Sequence, residues 1–251
     1  INKADEIIVL TNKARDLLIN RHKSQNVTVI PACVDIEGFN FKDNVKNKFE
    51  YKYSLNEKFV LIYTGSLGTW YMLSEMIDFY KELLGSERES VFIILSQSER
   101  AWIERQIPHA LRKQIIIDVA RPKEVVDFLN LANIGIFFIK PCFSKISSCP
   151  TKFGEYLSCG LPVIINKGIG DTEAIVRDNR IGVVVEYFTI EGYRKAICQM
   201  KELLKEGENL RIRCRATAER YFSLKEGADR YELVYERLIN QKRRHECKQR
   251  L

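Results

Sequence analysis

Six apolar runs of similar length recur through the middle of the chain: FVLIYTG at 59–65, VFIILS at 91–96, IIIDV at 115–119, IGIFFI at 134–139, LPVII at 161–165 and IGVVVE at 181–186. They are too short for helices and too continuously apolar for half-exposed strands, so they read as strands buried on both faces. Amphipathic stretches lie between them; after the first run, Leu73, Met76, Ile77, Tyr80 and Leu84 repeat at helical spacing. Strand and helix in alternation predict a parallel, doubly wound, Rossmann-like α/β sheet. Beyond Tyr187 the pattern turns helical, over 190–204, 208–221 and 224 to about Gln241. The first fifty residues differ. ADEIIVL and VTVIP read as two short strands around a helix, and 41–57 as a polar connection. The predicted organisation is the end of a preceding domain with its linker over 1–57, a Rossmann-like domain over 58–223, and a closing helix with a basic end over 224–251. A first residue of Ile is expected for a chain that starts partway through something larger.

Hydrophobic residues make up 45% of the 251, enough for a sizeable core. The net charge of +7 favours anionic partners, but it is spread along the chain without an aromatic RNA-binding signature or zinc-finger spacing, so nucleic acid is not expected. The basic terminus QKRRHECKQR reads as a solvated helix end, with a membrane-surface contact as the alternative. Seven cysteines with no C-x-x-C pair suggest neither a disulfide framework nor a zinc site, and a reducing cytoplasm is expected. No apolar run approaches the length of a membrane span.

In a doubly wound sheet, ligands bind outside the carboxyl ends of the strands, which directs attention to four loops. In TGSLG, Gly65 and Gly68 would let the backbone approach an anion, with Ser66 between them; tight packing explains the same glycines. In SSCPTKFGEYLSCGLPVI, Pro150 suits the first position of a helix. Ser147 and Ser148 precede it, and Thr151 and Lys152 fall in the first turn. A lysine there opposes the helix dipole and calls for an anion; Glu155, three residues on, could accept hydrogen bonds from vicinal hydroxyls. Phosphate on Lys152 and ribose on Glu155 would satisfy both, whereas a solvated i, i+3 ion pair is the plainer reading. In NKGIGDTEAI, Gly168 and Gly170 permit close approach, and Asp171 reads as the cap of the next helix, with sugar-hydroxyl binding by the loop as the alternative. In VARPKEV, Arg121 and Pro122 either border a nucleobase or lie at the surface. His22, His109 and His245 fall outside these loops, so neither a Ser–His–Asp arrangement nor a metal-bound water is indicated. A Walker lysine loop and a G-x-G-x-x-G fingerprint are both missing.

Together these motifs resemble the nucleotide-sugar-binding half of GT-B glycosyltransferases, in particular glycosyltransferase family 4. IIVLTNKARDLL with VTVIPACVD is similar to the end of that family's first domain, FVLIYTGSLG to the opening of its second, PTKFGEYLSCGLPVI with NKGIGD to its most diagnostic segment, and YFSLKEGADRYELVYERL to its closing helices. The resemblance implies transfer of a sugar from a nucleotide-diphosphate donor to a glycan or lipid-linked acceptor. It further implies retention, no essential metal or other cofactor, and a role in polysaccharide or cell-surface glycan biosynthesis, in the cytoplasm or at the inner face of the membrane. It gives Glu155 the donor ribose, Lys152 the diphosphate, and Gly65 and Gly68 the glycine loop. The sequence departs at two places: Ser147 stands where many members carry a sugar-binding glutamate, and Ser66 stands where many carry an arginine of the phosphate clamp, which leaves more of the charge to Lys152, assisted by Lys145. The family's own N-terminal domain would supply the other wall of the cleft, so this chain alone is expected to bind donor and transfer sugar poorly. A non-catalytic glycosyltransferase-like subunit and a nucleotide-sugar epimerase of the same architecture are the alternatives.

Overall fold

The computed structural model describes residues 4–22, 26–41 and 51–249. Residues 42–50 of the polar connection expected over 41–57, and the side chains of His22 and of the basic terminus from 244 on, His245 included, lie outside the described residues.

The first segment forms a small unit. β1 (Ile7–Val9) leads through α1 (Asn12–His22) to β2 (Val27–Val29), and the two strands pair in parallel. All six longer apolar runs then become strands of one sheet: β3 (Phe59–Thr64), β4 (Ser90–Leu95), β5 (Ile115–Asp118), β6 (Ile134–Phe137), β7 (Val163–Asn166) and β8 (Gly182–Val185). Every pairing is parallel and the spatial order is β5-β4-β3-β6-β7-β8. Numbered from its own first strand, this is 3-2-1-4-5-6, the doubly wound Rossmann order, with the topological switch between β3 and β6. Helices cover both faces: α2 (Leu73–Ser86), α3 (Arg100–Gln106), α4 (Pro122–Leu131), α5 (Thr151–Ser158), α6 (Thr172–Asn179), α7 (Ile190–Leu204), α8 (Glu208–Phe222) and α9 (Leu224–Gln249). Because both faces are covered, the strands carry no polar face; β4 is buried at every position and β6 likewise.

Tyr156, fully buried on α5, lies over β6 where Gly135 has no side chain. Its hydroxyl accepts a hydrogen bond from the Thr64 amide (2.7 Å) at the end of β3. One side chain therefore sets the distance between α5 and the loop that follows β3. Gly154, on the next turn face of α5, gives Val34 and Phe222 room to approach, and Phe153 stacks edge-on against Phe222 at 5.3 Å.

The first segment is fastened to the rest at several points. The Val34 amide donates to the Phe222 carbonyl (2.7 Å) and the Leu224 amide to the Val34 carbonyl (3.1 Å). The Arg215 guanidinium donates to the carbonyls of Ile36, Phe39 and Ser158. Arg237 on α9 reaches back to Glu6 at 2.8 Å.

Candidate functional site

A cleft of about 470 Å³ opens outside the carboxyl ends of β3, β4 and β5. Its walls are the β3 loop (Thr64–Ser66), the β4 loop (Leu95–Gln97), the β5 loop with the start of α4 (Val119, Ala120, Pro122, Val125), and the first turn of α5. Phe39 and Tyr71 close its sides.

Lys152 enters this cleft from the first turn of α5 and is only 8% exposed. Its Nζ stands 3.5 Å from the centre of the Tyr71 ring and 5.1 Å from that of Tyr63. Gly65, at a φ of +115°, passes so close that a Cβ there would lie 3.2 Å from the ammonium. The glycine is thus required twice, for its backbone angle and for the room it leaves. Lys152 forms no hydrogen bond or ion pair with another described residue. Burial pushes its pKa down to about 7, and nearby Glu155 opposes that shift only in part. Burial likewise raises the Glu155 carboxyl, against the pull of Lys152. Two ionisable groups shifted by burial and facing one cleft make it the candidate binding site.

The rest of the cleft is held firmly. The Tyr63 hydroxyl donates to the Ser66 carbonyl (2.7 Å), and Ser98 bonds both the amide and the carbonyl of Leu67 (2.8 and 3.1 Å). The glycine loop is therefore tied to the β4 loop. α5 begins at Thr151, so Pro150 is its cap residue, in extended conformation, rather than its first helical position as the sequence suggests. No side chain caps that end, which leaves its first amides and the positive end of the dipole available beside Lys152.

Of the residues singled out in the sequence, the structure brings Gly65, Ser66, Thr151, Lys152 and Glu155 together around this cleft. Gly68 follows at the loop's far end with open space around it. Arg121 is exposed; its amide donates to the Glu124 carboxylate at the start of α4, while its neighbours Ala120 and Pro122 line the cleft. Ser147 is exposed and turns its hydroxyl onto the Ser144 carbonyl (2.9 Å). Ser148 lines a different cavity, between α1 and α6. Gly168 packs by Pro141, and Gly170, at a φ of +42°, sits against the Ser148 carbonyl. Lys145 places its ammonium 3.9 Å over the Trp70 ring. The tyrosines around Lys152 were not anticipated: Tyr71 lies within GTWYML, a stretch whose place in the fold is set by backbone bonding of Met72 to Phe138 and of Lys140 to Trp70, far along the chain.

Asp171 requires a correction. It precedes α6, as expected for a cap, but makes no side-chain bond to that helix. Its carboxylate instead accepts from the amides of Asn12 (2.6 Å) and Lys13 (3.2 Å) and from Asn12 Nδ2 (2.9 Å), at the start of α1. A carboxylate at a helix N-terminus is stabilising whether or not it belongs to that helix. Beside it, the Thr11 hydroxyl donates to the Ile146 carbonyl (2.8 Å) and accepts from the Ala14 amide. Asp171→Ala is expected to lower stability by about 1–2 kcal/mol and to speed hydrogen exchange in the first turn of α1 ahead of the sheet. Unchanged exchange there would remove this role.

Comparison with known proteins agrees with the architecture. Residues 145–206 match the Glucosyltransferase 3-like, C-terminal domain. Among curated protein sequences none matches the chain. HepE of Anabaena, solved with UDP, superposes at a TM-score of 0.77 and 15% identity, covering 93% of this chain and 64% of that one; the same protein has been solved with UDP-glucose. Sucrose-phosphate synthase of Thermosynechococcus elongatus gives 0.72 at 14% identity, covering 95% and 59%. The GtfA/B complex gives 0.69 at 15%, covering 94% and 46%. The chain thus spans less than two thirds of the length of these structures. It has the Rossmann-like fold of GT-B glycosyltransferases across nearly its whole length, and over residues 145–206 it is similar to the Glucosyltransferase 3-like C-terminal domain.

Proposed function

We propose that the chain is the donor-binding part of a glycosyltransferase and that its cleft holds the nucleoside diphosphate of a nucleotide sugar. The observation that carries this reading is the buried Lys152 ammonium, without a hydrogen bond or ion pair among the described residues, beside the glycine loop and the uncapped start of α5. A diphosphate there would meet an ammonium, backbone amides and a helix dipole at once. In this reading Glu155, one turn further along α5, takes the ribose hydroxyls, and the wall of Val119, Ala120, Pro122 and Val125, which lines the same cleft, takes the base. HepE, of the same fold, binds UDP and UDP-glucose, which supports a donor of this class.

In the transfer, the bond between the sugar's anomeric carbon and the diphosphate oxygen breaks while one to the acceptor hydroxyl oxygen forms. Negative charge gathers on the departing diphosphate, whose oxygen takes up the proton that the acceptor hydroxyl loses. Lys152 and the α5 amides are fixed where that charge develops, so their contribution grows towards the transition state. Retention of configuration, a glycan or lipid-linked acceptor, and a place in cell-surface polysaccharide synthesis belong to this proposal. So do a cytoplasmic setting and a second domain completing the cleft.

Ser147 favours a second reading. Exposed and bonded to the Ser144 carbonyl, it supplies no carboxylate where the family resemblance expects a sugar-binding glutamate. A nucleotide-sugar-binding subunit that works beside a catalytic partner would need none, and a complex of proteins with this fold exists in GtfA/B.

Titration calorimetry with uridine, guanosine and adenosine diphosphates tests the site. Glu155→Gln should weaken the preferred diphosphate by about 1–3 kcal/mol, as expected for a lost charge-assisted bond to the ribose, and should leave inorganic pyrophosphate unaffected. Equal affinity of parent and variant for the nucleotide would remove Glu155 from the site. Sugar transfer by the parent, measured with its full-length chain, separates the enzyme from the binding subunit.

A further inference from the structure

A second pocket, of about 470 Å³, lies along the seam where the first segment meets α8 and α9 and shares no lining residue with the donor cleft. Its walls bring three arginines together from three helices: Arg15 of α1, Arg220 of α8 and Arg230 of α9. Only Arg15 has a carboxylate, the Asp16 beside it in sequence (2.9 Å). Arg220 rests over the Tyr221 ring at 5.2 Å, and neither it nor Arg230 forms an ion pair with another described residue. Arg220 also sits in the last turn of α8, so its charge is stabilised there by the helix dipole.

We propose that this pocket is a binding site for a phosphate-bearing ligand, separate from the donor cleft. Guanidinium groups present planar pairs of N–H donors that match phosphate oxygens two at a time. With Arg15 paired to Asp16, Arg220 and Arg230 bring two charges without a carboxylate partner among the described residues to the same pocket, and a divalent anion balances them. At about 470 Å³ the pocket is in the size range of small-ligand sites. The phosphate has two sources, a soluble metabolite or a lipid headgroup. Exposed Ile19 one turn beyond Arg15, and exposed Leu233 three residues beyond Arg230, give a lipid apolar surface next to the charges.

The test uses two arms in a Lys152→Met background, which removes the donor-cleft ammonium. In the first, inorganic pyrophosphate is titrated by calorimetry. In the second, vesicles of phosphatidylcholine with and without phosphatidic acid are floated with the protein. Binding in either arm should persist in Lys152→Met and fall at least about tenfold when Arg220→Gln and Arg230→Gln are added, both at exposed positions whose loss leaves the core intact. Pyrophosphate binding alone assigns the site to a soluble ligand; arginine-dependent flotation assigns it to a lipid headgroup. No binding in either arm, or binding indifferent to the two arginines, overturns the proposal. Nucleotide binding by the parent is read separately, so loss of the donor assignment leaves this result standing.

Discussion

A Lys152→Met protein should melt higher than the parent at neutral pH and bind nucleoside diphosphates about 30- to 100-fold more weakly. Both effects have one cause. With a pKa near 7 in the empty cleft against 10.5 for an ordinary lysine, the ammonium is disfavoured by burial. At about 1.36 kcal/mol per pH unit the difference sets an upper bound near ~5 kcal/mol on what the folded chain loses by holding that charge. Methionine keeps the length and apolar stem, so a gain of about 2–4 kcal/mol is expected, or roughly 5–12 °C in melting temperature. The sign follows from proton counting. Between pH 7 and 10.5 the unfolded chain binds the proton and the folded chain does not, so parent stability rises with pH across that window. The advantage of Lys152→Met is therefore largest at and below pH 7 and shrinks to nothing near pH 10.5. Binding runs the other way. A diphosphate returns the proton to Lys152, so parent affinity should fall as pH rises above about 7, with proton uptake visible in buffers of different ionisation heat. The variant should show no such dependence. A melting temperature unchanged at pH 7 together with unchanged affinity would remove Lys152 from the site.

The second large effect is structural and comes from a position with no chemistry of its own. Gly135→Ala would put a methyl group into the Tyr156 ring, which is fully buried and has nowhere to turn. Overpacking of this kind costs about 1–3 kcal/mol. Displacing the ring also strips the Thr64 amide of its acceptor, for about 1–3 kcal/mol more. A loss of about 3 kcal/mol or more is expected by denaturant unfolding. Because Thr64 leads into Gly65 and the cleft, the folded fraction should also bind nucleotide more weakly. A stable Gly135→Ala protein with parental affinity would show that Tyr156 does not set the height of the glycine loop.

These two residues also show what a sequence can and cannot convey. The six strands were legible because burial on both faces leaves a continuous β-branched run, a local signal. The helix from Ile190 to Leu204 was legible to the residue, since its apolar stripe and the Thr189 cap, which accepts from the Gly192 amide, are both local. Lys152 and Glu155 could be singled out because a charged pair at the entry of an otherwise apolar helix is conspicuous. The tyrosines around Lys152 could not, because Tyr63 reads as an ordinary strand residue and Tyr71 as part of a loop. Asp171 misled for the same reason. Its position before α6 is local and suggests a cap, while its partners on α1 lie some 160 positions away. The loop glycines split likewise: Gly65 lines the cleft, but Gly170 serves the backbone crossing at Ser148.

The paired backbone bonds at Val34 act as a clasp. Phe222 and Leu224 grip its amide and carbonyl from either side of the junction between α8 and α9, so the chain cannot slide past that junction without breaking both bonds. At the far end of the same segment, the start of α1 is held by the Asp171 carboxylate and the Thr11 hydroxyl by the Ile146 carbonyl. The first segment is thus pinned both to the junction of α8 and α9 and to the loops that flank α5, and it braces the one against the other.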